Sequence, residues 1–319
     1  MHSSTFFKLF PPPKFMIMKH AGLEISDDAI RAVEYAGSGG ARKMIKHAAV
    51  ILPEGLSESG DVKNEKALQE ILTRFDRENK LSYVKVSLPE EKAYLFQTDV
   101  PSTDVRSIAQ NIEFKLEENV PLSAADAVFY FDMMPAAMTG GALRASVSVV
   151  PRTYVEHQIS MLRASGIFPV AFEVVPKAIA RAVVNERPDH AAMVIHVMNK
   201  KTGLYIVSSG VVCFTSTVAL DSRQAPAAPA DIASLVREVT RTYTYWMSHS
   251  GVAIDAIILL GRNALALEGS LRSSVAETGL SVSIANVWQN IFDLNRYIPP
   301  VPRDESLDFA VAAGLAMEA

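Results

Sequence analysis

The sequence predicts an α/β protein of two lobes formed by duplication of one unit, with a smaller α+β segment inserted in the first lobe. A strand–turn–strand pattern begins at Gly22 and recurs at Ala192. The chain has 319 residues, which is enough for two domains of about 150 residues each. We therefore expect a tail at 1–19, a first half at 20–187 with the insertion at about 99–170, and a second half at 188–319.

The first half begins with three meandering strands, a helix and a further strand, which is the order of a ribonuclease-H-like unit. Short apolar runs bounded by turn residues predict the strands, and an apolar face at helical spacing predicts the helix. Glu90 and Glu91 are interpreted as a solvated turn. The expected elements are strands at Gly22–Ser26, Ala29–Ala36 and Lys43–Leu52, a helix at Val62–Asn79, and strands at Val84–Leu88 and Ala93–Thr98.

The inserted segment begins with an amphipathic helix. Ser102 or Thr103 can cap its first turn, since a short side-chain oxygen accepts from a free N–H there, and Pro121 ends it. Strands and helices then alternate back into the first lobe. The expected elements are a helix at Asp104–Asn119, strands at Ala127–Met133 and Leu143–Val150, a helix at Tyr154–Ala164, a strand at Val170–Val175 and a helix at Lys177–Val184.

The second half repeats the opening pattern and ends in an apolar loop and a closing helix. Small residues such as Gly314 allow the closing helix, expected from Asp304, to lie close against a neighbouring backbone. Trp288 and Phe292 make the preceding loop so apolar that we expect it to be ordered. The other expected elements are strands at Ala192–Val197, Leu204–Ser208 and Val211–Ala219, a helix at Asp231–Ser248, a strand at Ala256–Leu260 and a helix at Glu268–Thr278.

Composition excludes several classes of protein. The net charge of −4 and the pI near 6.0 leave no global basic field for nucleic acid. The single cysteine, Cys213, excludes an intrachain disulfide and suits a reducing compartment. The seven histidines are scattered, which argues against a zinc site. No apolar run approaches the roughly 20 residues of a membrane span, and the N-terminus does not resemble a signal peptide.

Several segments carry a resemblance to a known family. Glu24 stands at the acidic position of the first loop, where Ser26 replaces a glycine, and the closing loop and helix extend from Ile284 to Met317. The helix-to-strand motif of the insertion is Phe114, Glu117, Val120 and Pro121, followed by Asp126 to Met133. Together these resemble the PilM family, the actin-like cytoplasmic proteins of type IV pilus assembly. The resemblance implies an actin-like fold of two lobes.

In actin-like relatives, two opposed loops and a nucleoside-contacting acid hold a nucleotide. His196 stands where the second loop of the family has an acid, and Met198 where it has a glycine. The third landmark, normally a glycine pair, keeps one glycine. The residues that the resemblance places at this degenerate site are Glu24, Ser26, Asp27, Arg31, Glu238, Gly261, Arg262 and Asn263.

These replacements weaken the case for a nucleotide. Asp27 and Asp28 would face phosphates, and two like charges about 4 Å apart repel by about 4 kcal/mol at an effective dielectric of roughly 20. Mg²⁺ could reverse that sign, so ATP with Mg²⁺ stays the one cofactor that the resemblance suggests. Lys200 and Lys201 are interpreted as solvated turn lysines. We expect at most weak ATP binding, and we identify no catalytic residue.

The resemblance implies an adaptor that is cytoplasmic and lies at the inner face of the cytoplasmic membrane through a partner. That partner is a PilN-like bitopic protein, whose N-terminal peptide would bind between the first core unit and the insertion, flanked by Asp104–Asn119 and Leu143–Ala164. Other pilus-assembly components and a homo-oligomer are further expected partners, nucleic acid is not, and membrane contact is indirect. The alternatives are a nucleotide-switched ATPase of the same machinery, an FtsA-like cell-division adaptor, and a sugar or acetate kinase.

Overall fold

The structure is a computed structural model of the whole chain. It describes residues 19–37, 39–81, 83–101, 104–135, 143–185, 187, 190–220, 229–261 and 263–317. The predicted tail, apart from Lys19, lies outside the described residues, and so do the capping candidates Ser102 and Thr103. For the described part of the chain, no helix is long and apolar enough to cross a membrane.

The first lobe is built on a five-stranded sheet in the order β10-β6-β1-β2-β3. Strands β1 to β3 form an antiparallel meander, and β6 and β10 run parallel to β1. The strands are β1 (Ala21–Ile25), β2 (Ala29–Ala36), β3 (Lys43–Ile51), β6 (Tyr83–Leu88) and β10 (Phe168–Val174). Between β3 and β6 lie the short strands β4 (Ser57–Glu58) and β5 (Asp61–Val62), which pair with each other.

Two helices cover one face of this sheet. Helix α1 (Glu65–Asn79) buries Leu68, Leu72 and Phe75 against it, and helix α3 (Arg152–Ala164) contributes to the same core. The prediction that α1 begins at Val62 was wrong, because that residue pairs in β5. The helix instead begins after Asn64, whose side chain accepts from the amide of Ala67 at 3.1 Å.

The inserted segment forms a three-stranded sheet in the order β7-β9-β8. Its strands are β7 (Tyr94–Asp99), β8 (Ala127–Met133) and β9 (Arg144–Pro151), and helix α2 (Val105–Asn119) covers one face. Asp104 caps α2 by accepting from the amide of Ser107 at 3.0 Å. The domain boundaries stay a prediction, but strand pairing places Phe168–Val174 in the core sheet of the first lobe rather than in this small sheet.

The second lobe repeats the topology of the first, with a five-stranded sheet in the order β13-β12-β11-β14-β15. Again three antiparallel strands are followed by two parallel ones. The elements are β11 (His190–Val197), β12 (Lys201–Ser208), β13 (Val211–Ala219), helix α5 (Pro229–His249), β14 (Ala253–Leu260), helix α6 (Ala264–Ser274) and β15 (Ser281–Ile284). This agreement confirms the predicted duplication.

The C-terminal segment packs against the first lobe. Helix α4 (Val175–Val183) follows β10, and the chain ends in the short helices α7 (Arg303–Ser306) and α8 (Ala310–Leu315). Helix α8 lies so close to its neighbours that a Cβ on Gly314 would be 1.9 Å from the carbonyl oxygen of Ala178 in α4, and one on Gly22 would be 2.0 Å from that of Ala312. The small residues of this helix permit the contact, as the sequence predicts.

Candidate functional site

A cleft of about 830 Å³ lies between the two lobes. The first lobe contributes the β1–β2 turn, the β4–β5 hairpin and the turn after β6, and the second lobe contributes the β11–β12 turn and Asn263 before α6. The resemblance predicts the β1–β2 turn, the β11–β12 turn and Asn263 at this site, whereas the β4–β5 hairpin and the turn after β6 were not predicted there.

Asp27, in the β1–β2 turn, is held by the neighbouring β4–β5 hairpin. Its carboxylate accepts from the Ser57 hydroxyl at 3.0 Å and from the amides of Ser59 and Gly60 at 2.9 and 3.1 Å. Burial alone would raise the pKa of Asp27, but the charge of Lys201 and these hydrogen bonds outweigh burial and lower it. Asp27 is therefore a fixed, ionised carboxylate at the mouth of the cleft.

Lys201 crosses the cleft from the second lobe. Its Nζ lies 3.4 Å from Asp27 Oδ2 and is also paired with the carboxylate of Glu91. Burial opposes the charge of Lys201, but Glu91, Glu90 and Asp27 together raise its pKa above the ordinary value. The interpretation of Lys201 as a solvated turn lysine was wrong.

A second bridge lies beside the first. The Asn199 amide donates to Asp28 Oδ2 at 2.9 Å, while the Ser26 hydroxyl donates to Asp28 Oδ1 at 2.7 Å. Deeper in the cleft, Tyr205 of β12 donates to Glu90 Oε1 at 2.8 Å, and burial raises the pKa of Glu90. The interpretation of Glu90 and Glu91 as a solvated turn was therefore also wrong.

Glu24 and Arg31 form the floor of the cleft on the first lobe. The Arg31 guanidinium lies 3.6 Å from Glu24 Oε2 and 3.7 Å from Asp28 Oδ2. Burial raises the pKa of Glu24 to about 7, because the attraction of Arg31 does not compensate for desolvation and because Asp28 and Asp308 add repulsion. Glu24 is thus a carboxyl whose charge changes near neutral pH.

The opposite wall carries His196, at the end of β11. Burial lowers the pKa of His196 to about 3, so its ring is neutral at physiological pH. Its Nδ1 has no hydrogen-bond partner among the described residues. The ring lies against Tyr205, with 6.5 Å between the ring centroids. A neutral imidazole in this position adds no positive charge to the cleft.

The predicted site residues are only partly brought together. Glu24, Ser26, Asp27, Arg31 and Asn263 all line the cleft. Glu238 and Gly261 are not among the described residues that line the cleft. Arg262 lies outside the described residues.

Those two residues have local roles instead. Glu238, on α5, accepts from the Ser216 hydroxyl at 2.8 Å and pairs with Arg241 one turn along the helix. Gly261 has φ +94°, and a Cβ there would be 2.1 Å from the carbonyl oxygen of Val197. The glycine therefore lets β14 end against β11. The roles that the resemblance gives these residues stay predictions.

The charge of the cleft is unsuited to a triphosphate. Among the described lining residues, eight carry carboxyl groups and three carry basic groups. The amides of Ser59 and Gly60, which could bind an anion, already donate to Asp27. The acidic members are Glu24, Asp27, Asp28, Glu54, Glu58, Glu90, Glu91 and Asp308, and the basic members are Arg31, Lys200 and Lys201.

A second surface lies in the first lobe, where two sheet edges approach each other. Strand β8 is an edge of the small sheet, and β10 is an edge of the core sheet. Lys177, in the helix that directly follows β10, lies 2.8 Å from Asp132 of β8 and 3.5 Å from the centroid of the Tyr130 ring. Five large side chains along these edges are exposed, namely Val128, Tyr130, Met133, Phe168 and Val170. We call this surface the edge groove.

No family model and no curated protein matches the sequence. A chain of the PilM–PilN type IV pilus biogenesis complex matches the structure with a TM-score of 0.76 and 19% sequence identity, over 94% of this chain and 98% of that chain. The fold is PilM-like and actin-like. The cytoplasmic domain of EpsL, an inner membrane component of the type II secretion system of Vibrio cholerae, matches with a TM-score of 0.50 and 14% identity, over 95% of this chain and 97% of that chain.

These similarities confirm the fold that the sequence predicts. In this PilM-like fold the interlobe cleft and the edge groove are separate surfaces, because the cleft takes residues from both lobes whereas the edge groove belongs to the first lobe alone.

Proposed function

We propose that the protein is a cytoplasmic adaptor of a type IV pilus or related secretion machine, which binds an extended peptide of a PilN-like inner-membrane partner in the edge groove. Its association with the membrane would then be peripheral and through that partner. The similarity to the PilM–PilN complex supports this assignment. The observation that carries it is the approach of two sheet edges, at β8 and β10, with exposed apolar side chains on both.

Edge strands are suited to peptide binding because their outward N–H and C=O groups are free to pair with another strand. On β8, alternate residues face opposite sides of the small sheet. Phe129 and Phe131 face α2, whereas Val128 and Tyr130 face away from it and remain exposed. An added strand would therefore gain backbone hydrogen bonds and apolar contacts on the same side.

This proposal changes the flanks of the groove that the sequence suggests. Strand β9 lies between β7 and β8, so its backbone is paired on both sides. Helix α3 packs on α1 in the core of the first lobe. The predicted flank at Leu143–Ala164 therefore offers no strand edge in its described residues, and β8 with β10 replaces it in the proposal.

The test is a binding titration with a synthetic peptide. To obtain its sequence, the genome is searched for a PilN-like single-span protein, and the peptide copies the N-terminal cytoplasmic segment of that candidate. Tyr130→Ala and Phe168→Ala should each raise the Kd about tenfold, since each removes a large apolar contact. The matched control is Ile298→Ala, because Ile298 is 85% exposed in the loop before α7 and belongs to neither sheet edge nor to a predicted flank of the groove. It should change the Kd less than about twofold.

Equal effects of all three substitutions, or unchanged binding of the groove variants, would overturn the location of the site. Failure of the wild-type protein to bind any such peptide would overturn the adaptor role itself. Circular dichroism of each variant checks that the fold is retained.

The second candidate is a nucleotide-switched ATPase of the same machinery. The interlobe cleft of about 830 Å³ favours it, because a cavity of this size holds a small ligand. The excess of carboxylates opposes it. Calorimetry with Mg-ATP separates the two candidates, since a switch requires saturable binding and an adaptor does not.

A further inference from the structure

We propose that the interlobe cleft is a permanent joint, in which Lys201 and Asn199 of the second lobe bind Asp27, Asp28 and Glu91 of the first and hold the lobes together without a nucleotide. The joint takes the place where a bound anion would otherwise link the two loops. It concerns the cleft alone and does not depend on peptide binding in the edge groove.

The first-lobe side of the joint is rigidly positioned. Asp27 is fixed by one hydroxyl and two backbone amides of the β4–β5 hairpin. Lys201 reaches this carboxylate from the start of β12, and it also pairs with Glu91. Removal of the ammonium would leave two carboxylates facing each other in a partly buried space, where their repulsion is poorly screened.

Neighbouring bridges act in parallel with Lys201. Asn199 donates to Asp28 at 2.9 Å, and Tyr205 donates to Glu90 at 2.8 Å. Lys200 pairs with Glu54 at 2.9 Å at the rim, where both side chains are more than half exposed. The strong contacts are therefore the inner ones, because exposed ion pairs contribute little.

The turn that carries these side chains is itself tightly closed. The amide of Met198 donates to the carbonyl oxygen of Lys201 at 2.9 Å, which fixes the β11–β12 turn. An N–H used in this way does not bind a phosphate. The same turn therefore presents an ammonium and an amide side chain to the first lobe, while the backbone amide of Met198 is used within the turn.

An anionic ligand could enter the cleft only by breaking the ion pairs of the joint. A triphosphate entering the cleft would have to separate Lys201 from Asp27 and Glu91, and the remaining carboxylates would repel it. A structure closed in this way stays closed whether or not ATP is present.

The interlobe distance gives the direct test. Spin labels on Glu70→Cys in α1 and Ser273→Cys in α6 report the separation of the lobes, because both residues are exposed and lie on opposite lobes. We expect one narrow distance distribution for the otherwise wild-type protein, unchanged by Mg-ATP. Lys201→Met should broaden and lengthen it. Lys200→Met, the neighbouring lysine of the same turn, is the matched control and should not.

Hydrogen exchange supplies an independent readout in the unlabelled protein. The amides of Ser59 and Gly60 donate to Asp27, so loss of the joint should speed their exchange by about tenfold in Lys201→Met, with less than about twofold change in Lys200→Met. In Lys201→Ala, added ethylammonium should restore the slow exchange, because it supplies the missing cation.

Two results would overturn the joint. One is a Lys201→Met protein with the wild-type distance distribution and exchange rates. The other leaves every residue of the cleft unchanged, so that it does not depend on the folding of a cleft variant. If Mg-ATP shifts the interlobe distance or slows exchange at residues 57–60, then the cleft still accepts nucleotide and is not a permanent joint.

Discussion

The buried carboxyl of Glu24 gives a pH dependence that one substitution should remove. Glu24 is 5% exposed and lies at the base of the cleft, with Arg31 3.6 Å from one of its oxygens. We consider Glu24→Gln. The amide matches the neutral carboxyl in size and carries no charge at any pH, so the variant reproduces the protonated protein.

The size of this pH dependence follows from the pKa of Glu24. Burial raises it from 4.5 to about 7, a difference of about 2.5, and each pKa unit corresponds to about 1.4 kcal/mol. Because the folded-state pKa is the higher one, the stabilisation by the neutral carboxyl is complete below pH 4.5 and is lost as the pH rises to about 7. The wild-type protein therefore loses about 3 kcal/mol relative to Glu24→Gln over this interval.

Urea denaturation of both proteins between pH 4.5 and 8 measures this difference. The free energy of unfolding of Glu24→Gln minus that of the wild type should rise by about 3 kcal/mol and level off above pH 7. Glu70→Gln, an exposed substitution on α1 with the same change of charge, is the control and should give a nearly constant difference. Parallel stability curves for Glu24→Gln and the wild type would show that Glu24 titrates normally and would refute the reasoning.

Two further pairs of substitutions test a close helix contact and a helix cap. Gly314→Ala places a Cβ 1.9 Å from the carbonyl oxygen of Ala178 and should destabilise the protein by about 3 kcal/mol in thermal unfolding, whereas Gly269→Ala, with no neighbour within 4 Å in α6, should stabilise it by about 0.5 kcal/mol. Asp104→Ala removes the cap bond to the amide of Ser107 and should lower the free energy of unfolding by about 1 kcal/mol, which Asp104→Asn should largely restore.

The fold could be predicted because its signals are local. Short apolar runs bounded by turn residues define β11 and β8 within a few residues, and the repeat of the meander indicates two equivalent lobes. Two helix positions were misplaced by a few residues. The predicted start of α1 at Val62 falls on a residue whose pairing with Ser57 depends on a chain reversal that hydropathy does not record, and α6 spans Ala264–Ser274 instead of the predicted Glu268–Thr278.

The first-lobe side of the site could also be predicted, since Glu24 in β1 and Asp27 in the β1–β2 turn belong to a recognisable strand–turn–strand motif. The ion pair that joins this side of the cleft to the second lobe could not be predicted. Lys201 and Glu91 are 110 residues apart in sequence, and each is an ordinary surface residue when considered alone. The ion pair is partly buried only because the two lobes bring these polar turns together, and no local sequence pattern encodes that arrangement.

The two surfaces also explain how an adaptor could persist with a cleft unsuited to nucleotide. The edge groove is formed by β8, β10 and the start of α4, all in the first lobe, and Arg181 ties α4 to the closing helix by donating to the carbonyl oxygen of Gly314 at 2.8 Å. The two edge strands belong to the first lobe, although the small sheet and α4 also contact β13 of the second lobe, for example where the Ser146 hydroxyl donates to the carbonyl oxygen of Val212 at 2.7 Å. Under the proposed function, replacement of a ligand by Lys201 would fix the relation of the lobes while the peptide-binding edges stay in place.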